Sequence, residues 1–285
     1  MSVFYCIHGQ LYPGIDQRIQ RLKKACEENH ISCTVVDSTH ISLDDIPTLK
    51  PGDMMYNVAR GSEYLETLML HPFVTTFYIN NPAFIADNGD TLKYSMVLSR
   101  AGVPSPKTSY TTIKEKSKMS HLVETLGGFP LVIKTFGGTK GVGTMIVKDF
   151  ASLVSLVDFM NNSNTAYVIR EYIEPKEVAR IIVVGNRVVA SNQKLIPEGD
   201  FRTSVDHHPP LAKTYSEEIN QLAIRAAQAA NFENCGVDIL IDQSSNAYVL
   251  EVNMPHDFIT TEKATGIDIS GSMIKHLASK ATAST

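Results

Sequence analysis

The chain has 285 residues, 43% of them hydrophobic, and a net charge of −4 spread over interspersed acidic and basic positions. That composition supports two or three compact lobes and excludes the basic stripe of a nucleic-acid binder and the polybasic tract of a membrane-surface protein. No apolar run approaches the roughly 20 residues that span a bilayer, and the start Met1-Ser2-Val3-Phe4-Tyr5 lacks a signal pattern, so a cytoplasmic protein acting on small molecules or proteins is expected.

In the first third, apolar strands at 3–7, 33–36, 54–58 and 75–78 alternate with amphipathic stretches at 17–28 and 64–70. This alternation predicts a parallel sheet covered by helices, a small Rossmann-like lobe ending near Asn81-Pro82. It lacks the glycine fingerprint of a dinucleotide site. Cys6, Cys26, Cys33 and Cys235 are scattered without CxxC spacing and read as buried free thiols, not zinc ligands. Residues 90–100 predict a helix closed by Ala101-Gly102, and the prolines of Val103-Pro104-Ser105-Pro106 mark a lobe boundary.

Beyond it the pattern predicts a strand at 107–112, a helix at 119–126, strands at 131–134 and 144–147, and a helix at 151–160. Between the last two strands, Gly137-Gly138-Thr139-Lys140-Gly141-Val142-Gly143 holds four glycines in seven residues. Such a loop lets backbone amides approach phosphate oxygens, with Lys134 and Lys140 supplying charge. It is not a Walker loop, because no Gly-Lys-Ser/Thr follows and a strand comes next.

Residues 167–173 read as an edge strand whose extended end, Arg170-Glu171-Tyr172-Ile173, can offer backbone groups to an adenine ring. A hairpin over 178–184 and 187–193 turns at Gly185-Asn186. In Glu198-Gly199-Asp200-Phe201-Arg202, the Arg202 guanidinium, with Arg180 on the preceding hairpin, is suited to bidentate contact with carboxylate or phosphate. His207 and His208 read as surface histidines. A helix at 217–230, a second hairpin and a helix at 269–279 complete the chain.

The second hairpin carries the most chemistry. Folding Cys235 to Asn253 about Ser244 and Ser245 puts Asp238 across from Glu251, and the side-chain period of two puts Asn253 on the same face. Opposed carboxylates repel and destabilise a bare sheet, so a cation between them is the economical explanation. Two carboxylates, an amide oxygen and substrate phosphates suit Mg²⁺.

Taken in order, Val132-Ile133-Lys134, Gly138 to Gly143, Glu171-Tyr172-Ile173, Arg180 to Gly185, Glu198 to Arg202, Gly236-Val237-Asp238, Glu251-Val252-Asn253 and Thr265 to Ile269 resemble the ATP-grasp superfamily, in particular its RimK-type carboxylate–amine ligases. The resemblance implies a mixed α/β and α+β architecture. A Rossmann-like pre-ATP-grasp lobe (1–86) would precede a central ATP-grasp lobe with the glycine-rich lid (87–170) and a C-terminal lobe with the metal hairpin (171–285). It implies an ADP-forming ligase that makes an amide through an acyl phosphate. ATP would be held by Lys134, the loop residues Gly138, Thr139, Lys140, Gly141 and Gly143, and the segment Glu171, Tyr172 and Ile173. Asp238, Glu251 and Asn253 would hold two Mg²⁺, with Mn²⁺ as an alternative ion. Arg202, with Arg180, would face the γ-phosphate and acyl group. The substrates would be a small-molecule carboxylate and an amine, a protein or peptide tail staying open as acceptor, and the protein a homo-oligomer. A nucleotide-binding homologue that has lost ligation is the alternative.

The chain departs from the family pattern in places. Thr91 stands where a lysine is usual; either Lys93, two residues on, substitutes as an ATP-binding residue, or the second phosphate-binding lysine is missing. Val178, Ser204, Asp206 to Pro210 and Met254-Pro255-His256-Asp257-Phe258 also differ. These departures cluster where the acceptor should sit and leave the metal ligands intact.

Overall fold

The structure is a computed structural model describing residues 2–9, 11, 14–59, 61–70, 74–80, 91–110, 115–136, 141–202 and 209–283, with the side chains of 91–93 outside that set. The first lobe is built on β1 (Val3–His8), whose residues from Phe4 on are buried, as befits the middle strand of a parallel sheet covered on both faces. α1 (Ile15–Glu28) follows, burying Ile15, Ile19, Leu22 and Cys26 on one helical face. β2 (Ser32–Asp37) and β3 (Met54–Asn57) pair with β1 in parallel, giving the order β2-β1-β3. α2 (Glu63–Met69) closes the unit. The strand expected at 75–78 is reduced to isolated bridges, Met54 with Thr75 and Tyr78 with Phe232. Lys280 ties this segment down, its Nζ donating to the carbonyls of Thr76 at 3.1 Å and Tyr78 at 2.6 Å.

α3 (Thr91–Arg100) packs on the C-terminal half of the molecule through the buried Tyr94 and Leu98. The central sheet comprises β4 (Thr108–Tyr110), β5 (Leu131–Thr135), β6 (Thr144–Val147) and β7 (Tyr167–Glu171), with α4 (Lys116–Thr125) and α5 (Phe150–Asn162) between the strands. Its order is β4-β7-β5-β6, all antiparallel. Alternation sorts its two faces: Leu131, Ile133, Tyr167 and Ile169 join the core under α4 and α5, so Val132, Lys134, Val168 and Arg170 project from the other face. β7 is an interior strand, paired with β4 and β5, which corrects the expected edge strand. The ladder stops at Glu171 and the next begins at Pro175, so residues 172–174 lie between the two sheets without a ladder partner.

The C-terminal sheet has the order β10-β9-β8-β11-β12. Its strands are β8 (Pro175–Val184), β9 (Arg187–Lys194), β10 (Leu211–Ala212), β11 (Asn234–Asp242) and β12 (Ala247–Asn253). Gly185-Asn186 makes the expected two-residue turn, with Gly185 at φ +63°. α6 (Glu217–Ala229) starts at Ser216, whose hydroxyl caps Ile219 N–H. α6 and α8 (Ile269–Ala283) share the larger core with the inward side chains of β8 and β11. That core is continuous with Phe4, Ile19 and Tyr56 of the first lobe, whereas the central lobe has a separate one. The short α7 (Ile259–Thr265) and β10 were not anticipated. α7 is too brief and too polar to show a period, and it docks through Thr261, whose hydroxyl accepts from Asn192 at 2.7 Å.

Because Ile181 is fully buried where the first lobe, β8 and α8 share this core, Ile181→Ala should lower unfolding free energy by about 2–5 kcal/mol. Urea titration by circular dichroism reads this; a loss below about 1 kcal/mol would contradict the shared core.

Candidate active site

The metal-type hairpin forms by a register that changes part-way. Ile241 pairs with Ala247, Leu240 with Tyr248 and Ile239 with Val249; the register then shifts, and Asp238 pairs with Glu251, Val237 with Val252 and Gly236 with Asn253. Leu250 is the extra residue of this bulge. It allows Val249 and Val252 both to face the core while Glu251 and Asn253 face the opposite side with Asp238. In the unshifted register Asp238 would face Leu250, and Glu251 would turn inward.

Five charged side chains meet here. Arg180 lies across β8 from Asp238, its Nε 3.2 Å from Asp238 Oδ1 and its Nη1 donating to the Gly236 carbonyl at 3.1 Å. A Cβ on Gly236 would come within 2.6 Å of Arg180 Nη1, so glycine is required for this approach. Lys194 Nζ donates to Asp238 Oδ2 at 2.9 Å, and from the facing sheet Lys134 Nζ lies 3.7 Å from Glu251 Oε1. Burial, followed by repulsion from Arg180, lowers the Lys194 pKa, while Asp238 and Glu251 oppose the shift.

The ligand set fits a hard cation. Asp238 Oδ1 is buried and accepts no hydrogen bond. The Asn253 amide donates its nitrogen to Glu251 Oε1 at 3.1 Å and accepts on its oxygen from Arg180 Nη1 at 3.3 Å, which places an amide oxygen beside the two carboxylates. Among the described residues no group of three His, Cys, Asp or Glu side chains converges.

The other expected residues surround this point unevenly. Gly141 and Gly143, at φ +78° and +80°, end the lid loop, and Gly141 rests against the Arg202 stem, where a Cβ would sit 3.4 Å from Arg202 Cβ. Gly138, Thr139 and Lys140 lie outside the described residues, as do His207 and His208. Arg202 pairs with Asp200, Nη2 to Oδ2 at 2.7 Å, which holds the Asp200 carboxyl far below the usual range. Glu171 uses its carboxylate on the Lys107 N–H at 2.7 Å, while Tyr172 and Ile173 begin the unladdered connection between the sheets. Lys93 stands in the first turn of α3, its side chain outside the described set.

Sequence reasoning missed Lys194 and Arg170. Neither lies in a charged run: Arg170 closes an apolar stretch, and Lys194 follows the polar Ser191-Asn192-Gln193. His256 follows the hairpin, buried, with Nε2 2.9 Å from Asn234 Oδ1. Burial, then the charges of Arg180 and Arg18, hold its pKa down to about 3.

A RimK-like ATP-grasp domain model matches residues 88–277. The chain belongs to the RimK-like ATP-grasp family. This family member is 29% identical over 280 residues to a probable alpha-L-glutamate ligase of Shewanella loihica, covering 92% of this chain and 91% of the relative. It is 32% identical over 211 residues to a ribosomal protein bS6–L-glutamate ligase of Escherichia coli, covering 73% and 69% respectively. Its fold matches that of the ATP-grasp ligase PsnB, solved with a precursor variant, Mg and ADP, at a TM-score of 0.73 and 17% identity over 97% of this chain and 98% of that one. The protein is accordingly an ATP-dependent, ADP-forming ligase that joins a carboxylate to an amine. No helix among the described residues is long and apolar enough to cross a membrane.

The depressed pKa of His256 carries a pH consequence. The folded protein keeps this imidazole neutral down to about pH 3, whereas the unfolded chain protonates it near pH 6.5, so its contribution to stability is full above ~6.5 and declines as pH falls toward 3. The His256 ring proton shifts should stay flat from pH 8 to about 4 by NMR, and His256→Gln should flatten the loss of stability over the acid range. An NMR inflection near 6.5 would contradict the buried neutral state.

Proposed function

We propose that this ligase uses ATP to convert a substrate carboxylate into an acyl phosphate, which an amine attacks to form an amide. L-Glutamate is one substrate and a protein or peptide tail the other. A carboxylate is a poor electrophile because its leaving group would be oxide; phosphorylation supplies a leaving group, and the protein's task is positioning and charge neutralisation. The relatives named as glutamate ligases support the substrate, and the bS6 ligase supports a protein tail.

The observation that carries the reading is the opposition of Asp238 and Glu251 on one sheet with Lys134 reaching Glu251 from another. Asp238, Glu251 and Asn253 would hold two Mg²⁺, which would supply charge neutralisation at the terminal phosphates. Lys134 and Lys93 bind phosphate oxygens, and Gly138 to Gly143 close over the triphosphate with Lys140 adding charge. The segment Glu171 to Ile173, where β7 ends and the unladdered connection begins, presents backbone to adenine. Arg202 leaves Asp200 for the transferred phosphoryl group, while Arg180 orients Asp238 and faces the acyl oxygen. The lobes at 1–86, 87–170 and 171–285 thereby divide the work into substrate selection, nucleotide cover and metal binding.

A coupled ADP-release assay with L-glutamate and a panel of peptide tails, read by mass spectrometry of the products, tests this. ADP release that needs both substrates, with a glutamyl-extended peptide, is the expected result; ADP release with neither, or a stable phosphorylated product without an amine, would overturn it. Glu251→Gln and Asp238→Asn should each lower turnover by about 10²-fold or more with an unchanged circular dichroism spectrum. Retained turnover at saturating ATP would remove them from the site.

A further inference from the structure

Arg170 projects from the face of β7 that carries Lys134's neighbours, crosses out of the central lobe, and is buried among elements that no single lobe supplies. Its Nη2 donates to the Ser95 hydroxyl of α3 at 2.6 Å. Its Nη1 donates to the carbonyl of Leu250 at 3.3 Å. Leu250 is the extra residue of the bulge, and the residue before it is gripped too, Val249 N–H donating to the Pro104 carbonyl at 2.8 Å. The stretch just ahead of Glu251 is therefore held from outside its own sheet by groups of β7 and of the connection after α3. Burial lowers the guanidinium's pKa, and the nearby Glu251 carboxylate opposes that shift.

We infer that Arg170 is a positioning residue for the metal site, fixing the Leu250 bulge and so aiming Glu251 at the cation. This rests on the reading of Asp238, Glu251 and Asn253 as metal ligands. A part-buried carbonyl deprived of its donor is left under-satisfied, and relaxing the bulge toward a regular ladder satisfies backbone groups at the expense of rotating Glu251 off the ligand face. Arg170 also adjoins Glu171, the first residue of the proposed adenine segment. One side chain thus couples the strand that leads to the nucleotide base with the strand that holds the metal.

Two effects of this cation oppose each other and can be separated. Its positive charge repels a divalent ion, while its fork of donors orders the ligand. Arg170→Lys keeps the charge and loses the fork; Arg170→Gln loses both. Mn²⁺ binding to the ADP complex is followed by the electron paramagnetic resonance signal of free Mn²⁺, and ADP binding is measured separately in EDTA. Arg170→Lys should weaken Mn²⁺ by about 10-fold, the scale of lost support around a metal ligand, with ADP affinity in EDTA altered less than about 3-fold. Ser95→Ala, which removes the Nη2 partner, should weaken Mn²⁺ in the same direction by a smaller factor, and it stands as the test if Arg170 variants fail to fold. Mn²⁺ affinity unchanged in Arg170→Lys and in Ser95→Ala, or tightened in Arg170→Gln, would overturn the role. So would a parallel loss of ADP affinity in EDTA, the mark of general destabilisation. Absence of Mn²⁺ binding in the unaltered protein would instead sink the metal reading itself.

Discussion

Two carboxylates opposed across a pair of strands repel each other, and the organisation of this protein turns on how Asp238 and Glu251 are kept face to face. The bulge at Leu250 sets their geometry, and cations meet their charge: Arg180 and Lys194 at Asp238, Lys134 at Glu251. Asp238 is only 4% exposed, and Arg180 and Lys194 both pair with it. Stripping a partner from such a buried pair costs on the order of 3–5 kcal/mol, far more than a surface ion pair contributes. A divalent ion at the same point adds positive charge to a cluster that already has it, which favours sites where anionic phosphates arrive together with the metal.

The two sheets have different parts in this. The C-terminal sheet shares its core with the first lobe and forms a continuous base, while the central lobe has its own core. Lys134 and Arg170 come from the central sheet, yet both reach β12. The site is thus assembled by contact between two separately packed units.

Much of this was legible in the order of residues. Alternating apolar runs gave the parallel and antiparallel sheets, and the glycine-rich loop and the acidic hairpin stood out because few structures need such patterns. The pairing of Asp238 with Glu251 was expected from a turn centred on Ser244 and Ser245, but it arises through two offsets that cancel: the ladder closes at Ile241 and Ala247, and Leu250 restores the missing residue. A bulge leaves little trace in hydrophobic periodicity. Strand order left none: the interior position of β7 depends on β4 pairing with it across more than fifty residues, which no local pattern reveals. Lys194 and Arg170 were missed for the same reason, since their partners are distant in sequence. The segment at 75–78 looked like a strand because it is apolar and β-branched, whereas side-chain burial and Lys280 hold it in place of a ladder.

The account stands on Asp238, Glu251 and Asn253 together holding the metal ions. Crystals grown with Mn²⁺ and ADP, measured at the manganese absorption edge, test it most directly. Anomalous density within about 2.3 Å of oxygens from all three side chains, with the Asn253 oxygen turned away from Arg180, is the predicted result. Manganese bound elsewhere, with Asp238 still engaged only by Arg180 and Lys194, would contradict it.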